Sequence, residues 1–279
     1  MNDLSRRVVV SSISIAVVVC FLLFAFHPIF QYFVAGGVAV LAGIAIWEYE
    51  QFAKAKGGQM LLPALIILTL VEVLAFFLSA KNPSLKSLPV IVFFIAFLIL
   101  FALHFGEKDG AIVDLSVSSF GLLYIAVPMG MILGILYLPK VDGRWWVAYL
   151  LIVTKIADIG AYFAGSLWGR RKLAPRISPK KTIEGAIFGL FCAMLASLVF
   201  HVASGYAGPF HLRTLEWVFL GLVLGFAGQF GDLSESLLKR DANKKDSNTL
   251  PGLGGVLDAL DSILFTTPII YIYLHFIKL

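Results

Sequence analysis

Two aspartates three residues apart, Asp258 and Asp261, follow a glycine pair, Gly254 and Gly255, at the end of a polar run that begins near Ser236. In a helix this spacing puts both carboxylates on one face. Glycines just before them allow a close backbone approach or unusual dihedrals. Upstream, Asp232, Glu235, Ser236 and Lys239 also share a face if the chain there is helical. Carboxylates held at helix ends, with positions open for water and phosphate oxygens, are one way proteins hold Mg²⁺. Lys239, Arg240 and Lys245 would then meet other phosphate oxygens. The competing reading is a salt-bridge network at a membrane surface. Three acids converging from two apolar segments, next to a glycine pair, favour the metal.

A second constellation runs from Asp158 to Gly185. It has no acid between Asp158 and Glu184 but six bases. Ser178-Pro179 predicts a helix start, since serine can cap and proline suits the first turn. Lys180 and Lys181 would then fall in that turn, where cations are disfavoured unless an anion occupies the free N–H groups. Phosphate is the natural anion, and Thr182 stands beside it. A set of cytoplasmic anchor charges touching lipid phosphates is the plainer explanation. Lys155 and Asp158 share a helical face and can neutralise each other. They form either a structural pair or a site acid steered by its lysine. Glu72 is a lone acid inside an apolar segment with no assignable role. Glu48 and Glu50, at the end of another segment, are expected to be exposed and to need no special explanation.

These residues need elements to position them, and composition dictates which kind. The chain has 59% hydrophobic and 14% charged residues and a mean hydropathy of +0.92. Soluble domains carry about 25% charged residues, so this is a membrane protein. About 20 apolar residues cross a bilayer as a helix, and the apolar runs here are continuous and do not alternate, which favours helices over a barrel. The expected fold is an all-α polytopic bundle with nine spans, near 8–26, 28–46, 60–79, 88–105, 115–136, 145–165, 183–204, 215–231 and 256–277. The first follows Arg6 and Arg7 but lacks a small-residue cleavage site, so it is read as a span. Cys20 and Cys192 both fall inside spans, with no metal or disulfide spacing. No internal repeat, low-complexity tract or soluble domain is visible. One integral membrane domain is expected, with N-terminal helices over 1–144 and helices carrying the motifs over 145–279. Its substantial polar loops are 166–182 and 232–255.

Placing the N-terminus in the cytoplasm puts fifteen of the 22 Lys and Arg on the inner side and six on the outer, with Lys155 inside a span. That asymmetry selects a cytoplasmic N-terminus, with both motif loops on the same side. The net charge of +5 then favours anionic headgroups and solutes there.

The polar run resembles the signature of the phosphatidate cytidylyltransferase (CDP-diacylglycerol synthase) family. Ser236, Lys239, Arg240, Lys245, Asp246, Pro251, Gly252, Gly254, Gly255, Asp258, Asp261 and Ser262 match its pattern. So does Gly231-Asp232-Leu233. Upstream, Asp158, Ala161, Tyr162, Gly165, Ser178, Pro179, Lys181, Thr182, Glu184 and Gly185 match the family's Asp-x-x-Ala-Tyr and Ser-Pro-Lys-Lys-Thr-x-Glu-Gly segments. The resemblance covers about residues 150–270 in fixed order. It departs at Leu253, where the family has His, and at Ala259, where it has Arg. The spacing between Asp246 and Pro251 is also one residue short.

The resemblance implies that CTP and phosphatidate give CDP-diacylglycerol and pyrophosphate, a step of phospholipid biosynthesis. It implies Mg²⁺ on Asp232, Asp258 and Asp261, leaving a second cation open. Lys239, Arg240 and Lys245 become catalytic phosphate contacts. Asp158, Tyr162, Ser178, Lys180, Lys181, Thr182, Ser236, Gly254 and Gly255 become substrate contacts. It further implies a homodimer among membrane lipids, in a bacterial cytoplasmic membrane, with its site facing the cytoplasm and no nucleic-acid partner. Two alternatives stand beside it. One is a CTP-dependent polyprenol- or phytol-type kinase. The other is a transporter using Glu72, Lys155 and Asp158, which would require paired broken helices in two related halves.

Overall fold

The structure, a computed structural model, describes residues 3–106, 109–204, 210–244 and 255–278. It is helical apart from one short hairpin, and each of the nine expected segments holds a helix. Among the described residues eight helices are long and apolar enough to cross a membrane. Two compact units emerge: Met1–Tyr137 with Asp241–Ala259, and Leu138–Arg240 with Leu260–Leu279.

The first unit contains α1 (Asp3–Phe24), α2 (Phe30–Lys54), α3 (Leu62–Lys81), α4 (Leu88–His104), α5 (Ala111–Gly121) and α6 (Val127–Leu136). Prolines in the first turns of α3 and α4 occupy positions whose N–H has no helical partner anyway. A π-helical stretch, Leu122–Ala126, joins α5 to α6 within a single span. Ala42, Ala45, Ile46, Leu65, Val73 and Leu133 are buried at the centre. Val90, Ile91 and Phe94 of α4 stay exposed, as a lipid-facing helix requires.

The second unit contains α7 (Gly143–Trp168), the strands β1 (Lys172–Ala174) and β2 (Ser178–Thr182), α8 (Ile183–Ser204), α9 (Glu216–Asp241) and α10 (Val256–Tyr273). Asp241 of α9 and the first turn of α10 belong to the first unit. Asp142 starts α7 by accepting the Arg144 N–H at 3.1 Å. Trp146, Tyr149 and Phe210 are fully buried together, with ring centroids of Trp146 and Phe210 4.8 Å apart. Tyr149 Oη and Ser197 Oγ are 2.8 Å apart. Ser197 gives its own proton to the Trp217 carbonyl at 2.7 Å, so the tyrosine donates to the serine. These two hydroxyls inside an apolar bundle are thereby satisfied.

Helices α7 and α8 cross closely because glycine faces glycine. A Cβ on Gly185 would stand 2.6 Å from the Ala161 carbonyl oxygen and 3.0 Å from Gly165 Cα. The connection between the two helices, residues 169–182, folds as the hairpin.

Two local expectations are corrected. The helix predicted to begin at Ser178-Pro179 begins at Ile183; Ser178, Lys180 and Lys181 lie in β2, paired antiparallel with β1 through Lys172↔Thr182 and Ala174↔Ser178. Proline biases the preceding residue toward extended backbone, which suits Ser178 to a strand. The cap falls to Thr182, whose Oγ1 accepts the Gly185 N–H at 3.1 Å. The polar loop expected from 232 is helical as far as Asp241, supported by the pairing of Glu235 with Lys239 one turn on.

Candidate active site

In the second unit, acids from three helices converge next to a cavity of about 440 Å³. Helix α7 presents Lys155, Asp158 and Tyr162, one turn apart along the same side. The β hairpin supplies Lys172, Lys180, Lys181 and Thr182, and α9 supplies Gln229 and Asp232. Of these all but Lys155 line the cavity, together with the small residues Ala161, Gly165 and Ala186. The hairpin is held in place from both sides. Glu184 accepts the backbone N–H groups of Arg170 and Arg171 at 3.1 Å each, and Arg240 Nε donates to the Ile177 carbonyl at 3.2 Å.

Lys181 Nζ and Asp232 Oδ2 form an ion pair at 2.7 Å, the shortest link between hairpin and α9 that bears charge on both sides. Lys155 Nζ lies 3.8 Å from Asp158 Oδ2. Ser262 Oγ sits 3.1 Å from that same oxygen and 3.0 Å from Asp261 Oδ1, so α10 joins α7 through one hydroxyl. A hydroxyl has one proton and cannot donate to two carboxylates at once. Asp232 is near enough for its charge to act on both Asp158 and Asp261. Three carboxylates thus face two lysines, an excess of negative charge in a mostly apolar setting, of which Asp261 is 7% exposed. Such a donor set is hard oxygen and suits a divalent cation or a protonated carboxyl. Among the described residues, no three acidic, histidine or cysteine side chains are close enough to hold an ion by themselves.

The sequence-derived candidates distribute unevenly over this site. Asp158, Tyr162, Lys180, Lys181, Thr182 and Asp232 share the cavity. Asp261 lies beside it through Ser262. Ser236 Oγ is 3.4 Å from Asp232 Oδ1, behind the carboxylate. Lys239 pairs with the fully buried Glu235, and Arg240 braces the hairpin. Asp258 closes the first turn of its own helix by accepting the Gly255 N–H at 2.9 Å. Ser178 sits at the start of β2, off the cavity wall. Lys245 and Gly254 fall outside the described residues.

Several participants were not singled out from sequence. Lys172 and Gln229 line the cavity. Ser262, matched in the signature but given no role, proves to be the bridge between α7 and α10. Gln229 Nε2 donates to the Ala186 carbonyl at 3.0 Å, and a lone amide inside an apolar span was the available signal. The expectation of exposed carboxylates at Glu48 and Glu50 is corrected: both are buried, Glu48 completely. Glu50 is paired with Lys54 at 2.9 Å, and Glu48 accepts backbone N–H groups of α10.

Comparison with known proteins matches the sequence to a family. The model of the cytidylyltransferase family matches residues 5–277. A phosphatidate cytidylyltransferase of Chlamydia pneumoniae is 34% identical over 287 aligned positions, covering 98% of this chain and 92% of the relative. One from Synechocystis is 32% identical, covering 96% of each. One from Staphylococcus aureus is 37% identical over 195 positions, 68% of this chain and 69% of the relative. With a match from one end of the helical array to the other, the chain belongs to the cytidylyltransferase family.

Proposed function

We propose that this chain is a phosphatidate cytidylyltransferase, joining the cytidylyl group of CTP to a membrane phosphatidate and releasing pyrophosphate. The observation that carries the reading is the Lys181–Asp232 pair on the wall of a cavity flanked by Asp158 and Asp261, in the span-forming part of a family member. The lipid phosphomonoester has a second pKa near 6, as phosphorylated side chains do, and is mostly dianionic at neutral pH. One of its oxygens bonds to the α-phosphorus of CTP while the bond from that phosphorus to the bridging oxygen breaks, and pyrophosphate carries away the electron pair. No base is needed for an ionised nucleophile. The task is to hold two polyanions together and to stabilise charge on the leaving group.

Lys172, Lys180 and Lys181 supply cationic contacts from the hairpin. The apolar floor made by Ala161, Tyr162 and Ala186 suits the base of an acyl chain or a nucleobase. Asp232 and Asp261, with Asp158 beside them, would hold Mg²⁺, and the resemblance adds Asp258. Magnesium keeps several waters and binds through one or two carboxylates plus substrate phosphates, which fits acids too few to cage an ion alone. When bound, it would neutralise phosphate charge and favour departure of pyrophosphate. We also read the working form as a homodimer in a bacterial cytoplasmic membrane, its site open to cytoplasmic CTP. Support for this is the resemblance, the bacterial relatives and the distribution of Lys and Arg.

The direct test uses purified protein with CTP labelled in the cytidine, phosphatidate and Mg²⁺. Cytidine label in the lipid together with pyrophosphate is expected. Release of labelled CDP with an unlabelled lipid would make the chain a lipid kinase, and solute flux without nucleotide turnover would make it a transporter.

A further inference from the structure

The end of α2 carries an unusual burial. Glu48 has no exposed surface. Its Oε1 accepts the Val256 N–H at 2.8 Å and its Oε2 accepts the Leu257 N–H at 2.7 Å, across 208 and 209 residues of sequence. These are the first two residues of α10. The opening N–H groups of a helix have no partner within it and form its positive end. A carboxylate that accepts two of them is a charge-assisted, bidentate cap. With the N–H of Gly255, the residue just before α10, given to Asp258, three consecutive N–H groups at the start of the helix are held by carboxylates.

The same end of α2 also holds the chain that leads into this turn. Lys56, just past α2, pairs with Asp241 at 2.8 Å. Lys244 Nζ donates to Gln51 Oε1 at 3.3 Å and lies 5.8 Å from the Phe52 ring centroid. Residues 245–254 of the signature run between these two attachments. The end of α2 and the turn after it therefore hold the chain at Asp241 and Lys244 and again at Val256 and Leu257.

We propose that Glu48 is a positioning residue for cytidylyl transfer: by capping α10 it fixes the rotation and height of its first turn, which bears Asp258. A buried acid is expensive unless its charge is met, and meeting it with two N–H groups of one particular helix leaves that helix a single seating. The anion-attracting end of α10 is also occupied, so substrate phosphate is not drawn to it. This inference rests on the reading that α10 serves cytidylyl transfer.

The test compares the full-length wild type with Glu48→Gln and Glu48→Ala in detergent, each counted per folded, monodisperse molecule. Glu48→Ala is expected to lower kcat about 10- to 100-fold, as loss of a supporting hydrogen bond does at other sites, while KM for CTP and phosphatidate moves by less than about threefold. Glu48→Gln, which keeps shape and one acceptor, should fall between. Backbone hydrogen exchange at Val256 and Leu257 should accelerate in the same order. A purely structural role would lower thermal stability and yield but leave kcat per folded molecule intact. Wild-type kcat in both variants, or lost kcat without faster exchange in α10, overturns the proposal. If Glu48→Ala does not fold, the isosteric Glu48→Gln carries both measurements. A wild type that makes no CDP-lipid would instead defeat the functional reading, and the exchange comparison would still report on the cap.

Discussion

At the scale of single residues, the carboxylates divide by what already holds them. Asp232 and Asp261 meet each other's field and that of Asp158, with Lys181, Lys155 and Ser262 as partners. Asp258 makes a capping bond that an amide oxygen could equally accept. Substitution by asparagine therefore separates charge from hydrogen bonding at all three. Asp232→Asn and Asp261→Asn should each lower kcat by about 10²- to 10³-fold, the loss expected when several kcal/mol of charge stabilisation are removed. Asp258→Asn keeps the cap, so stability should stay near wild type, and any comparable loss of turnover reports its charge alone. The measurement is CDP-lipid formation against Mg²⁺ concentration, with thermal unfolding alongside. Near-normal turnover of Asp232→Asn at limiting Mg²⁺ would remove that residue from the metal assignment.

At the scale of elements, the site depends on how closely helices approach. Gly231 on α9 faces the backbone of α10: a Cβ there would stand 2.5 Å from the Asp261 carbonyl oxygen and 3.1 Å from Ser262 Cα. Backbone cannot swing away as a side-chain tip can. Gly231→Ala should therefore destabilise the fold by about 1–3 kcal/mol through overpacking. It should also reduce turnover by about 10²-fold, because the displaced segment carries Asp261 and Ser262. Gly36→Ala in α2, where nothing lies within 4 Å of the added methyl, serves as the control and should do neither. Equal, small effects of the two substitutions would show that α10 yields freely.

Much of this element-level picture was readable from sequence, and the misses have physical causes. Each of the nine apolar runs holds a helix among the described residues because a bilayer leaves a polar backbone few options. Asp158, Lys181 and Asp232 each stood out because charges are conspicuous in apolar sequence, but they fell in two separate constellations, and the Lys181–Asp232 pair that joins them was not legible. The hairpin was missed because Ser-Pro satisfies the rules for a helix start and for a strand alike, and the paired strand Lys172–Ala174 decides between them. Glu48 was missed because its partners are backbone N–H groups, which leave no trace in residue type.

At the scale of the whole molecule, the remaining question is which side of the membrane each polar segment occupies. The sharpest contrast flanks a single helix, α8. The segment before it carries Arg170, Arg171, Lys172, Arg176, Lys180 and Lys181, whereas the segment after it, residues 205–215, carries Arg213 alone. Lys and Arg close to helix ends resist transfer across the membrane, and anionic lipids attract them on the cytoplasmic side. CTP is also a cytoplasmic solute, and a cavity lined by the hairpin lysines must open toward it if the functional reading holds. Both arguments give one orientation for α8: Ile183 toward the cytoplasm and Ser204 away from it. Arg176 and Arg213 are exposed, so cysteine at either position is accessible to reagent. In a background with Cys20→Ser and Cys192→Ser, Arg176→Cys should resist a membrane-impermeant maleimide in intact cells and react once the membrane is opened. Arg213→Cys should react from outside. Labelling of Arg176→Cys in intact cells would invert the topology, and with it the side from which the nucleotide enters.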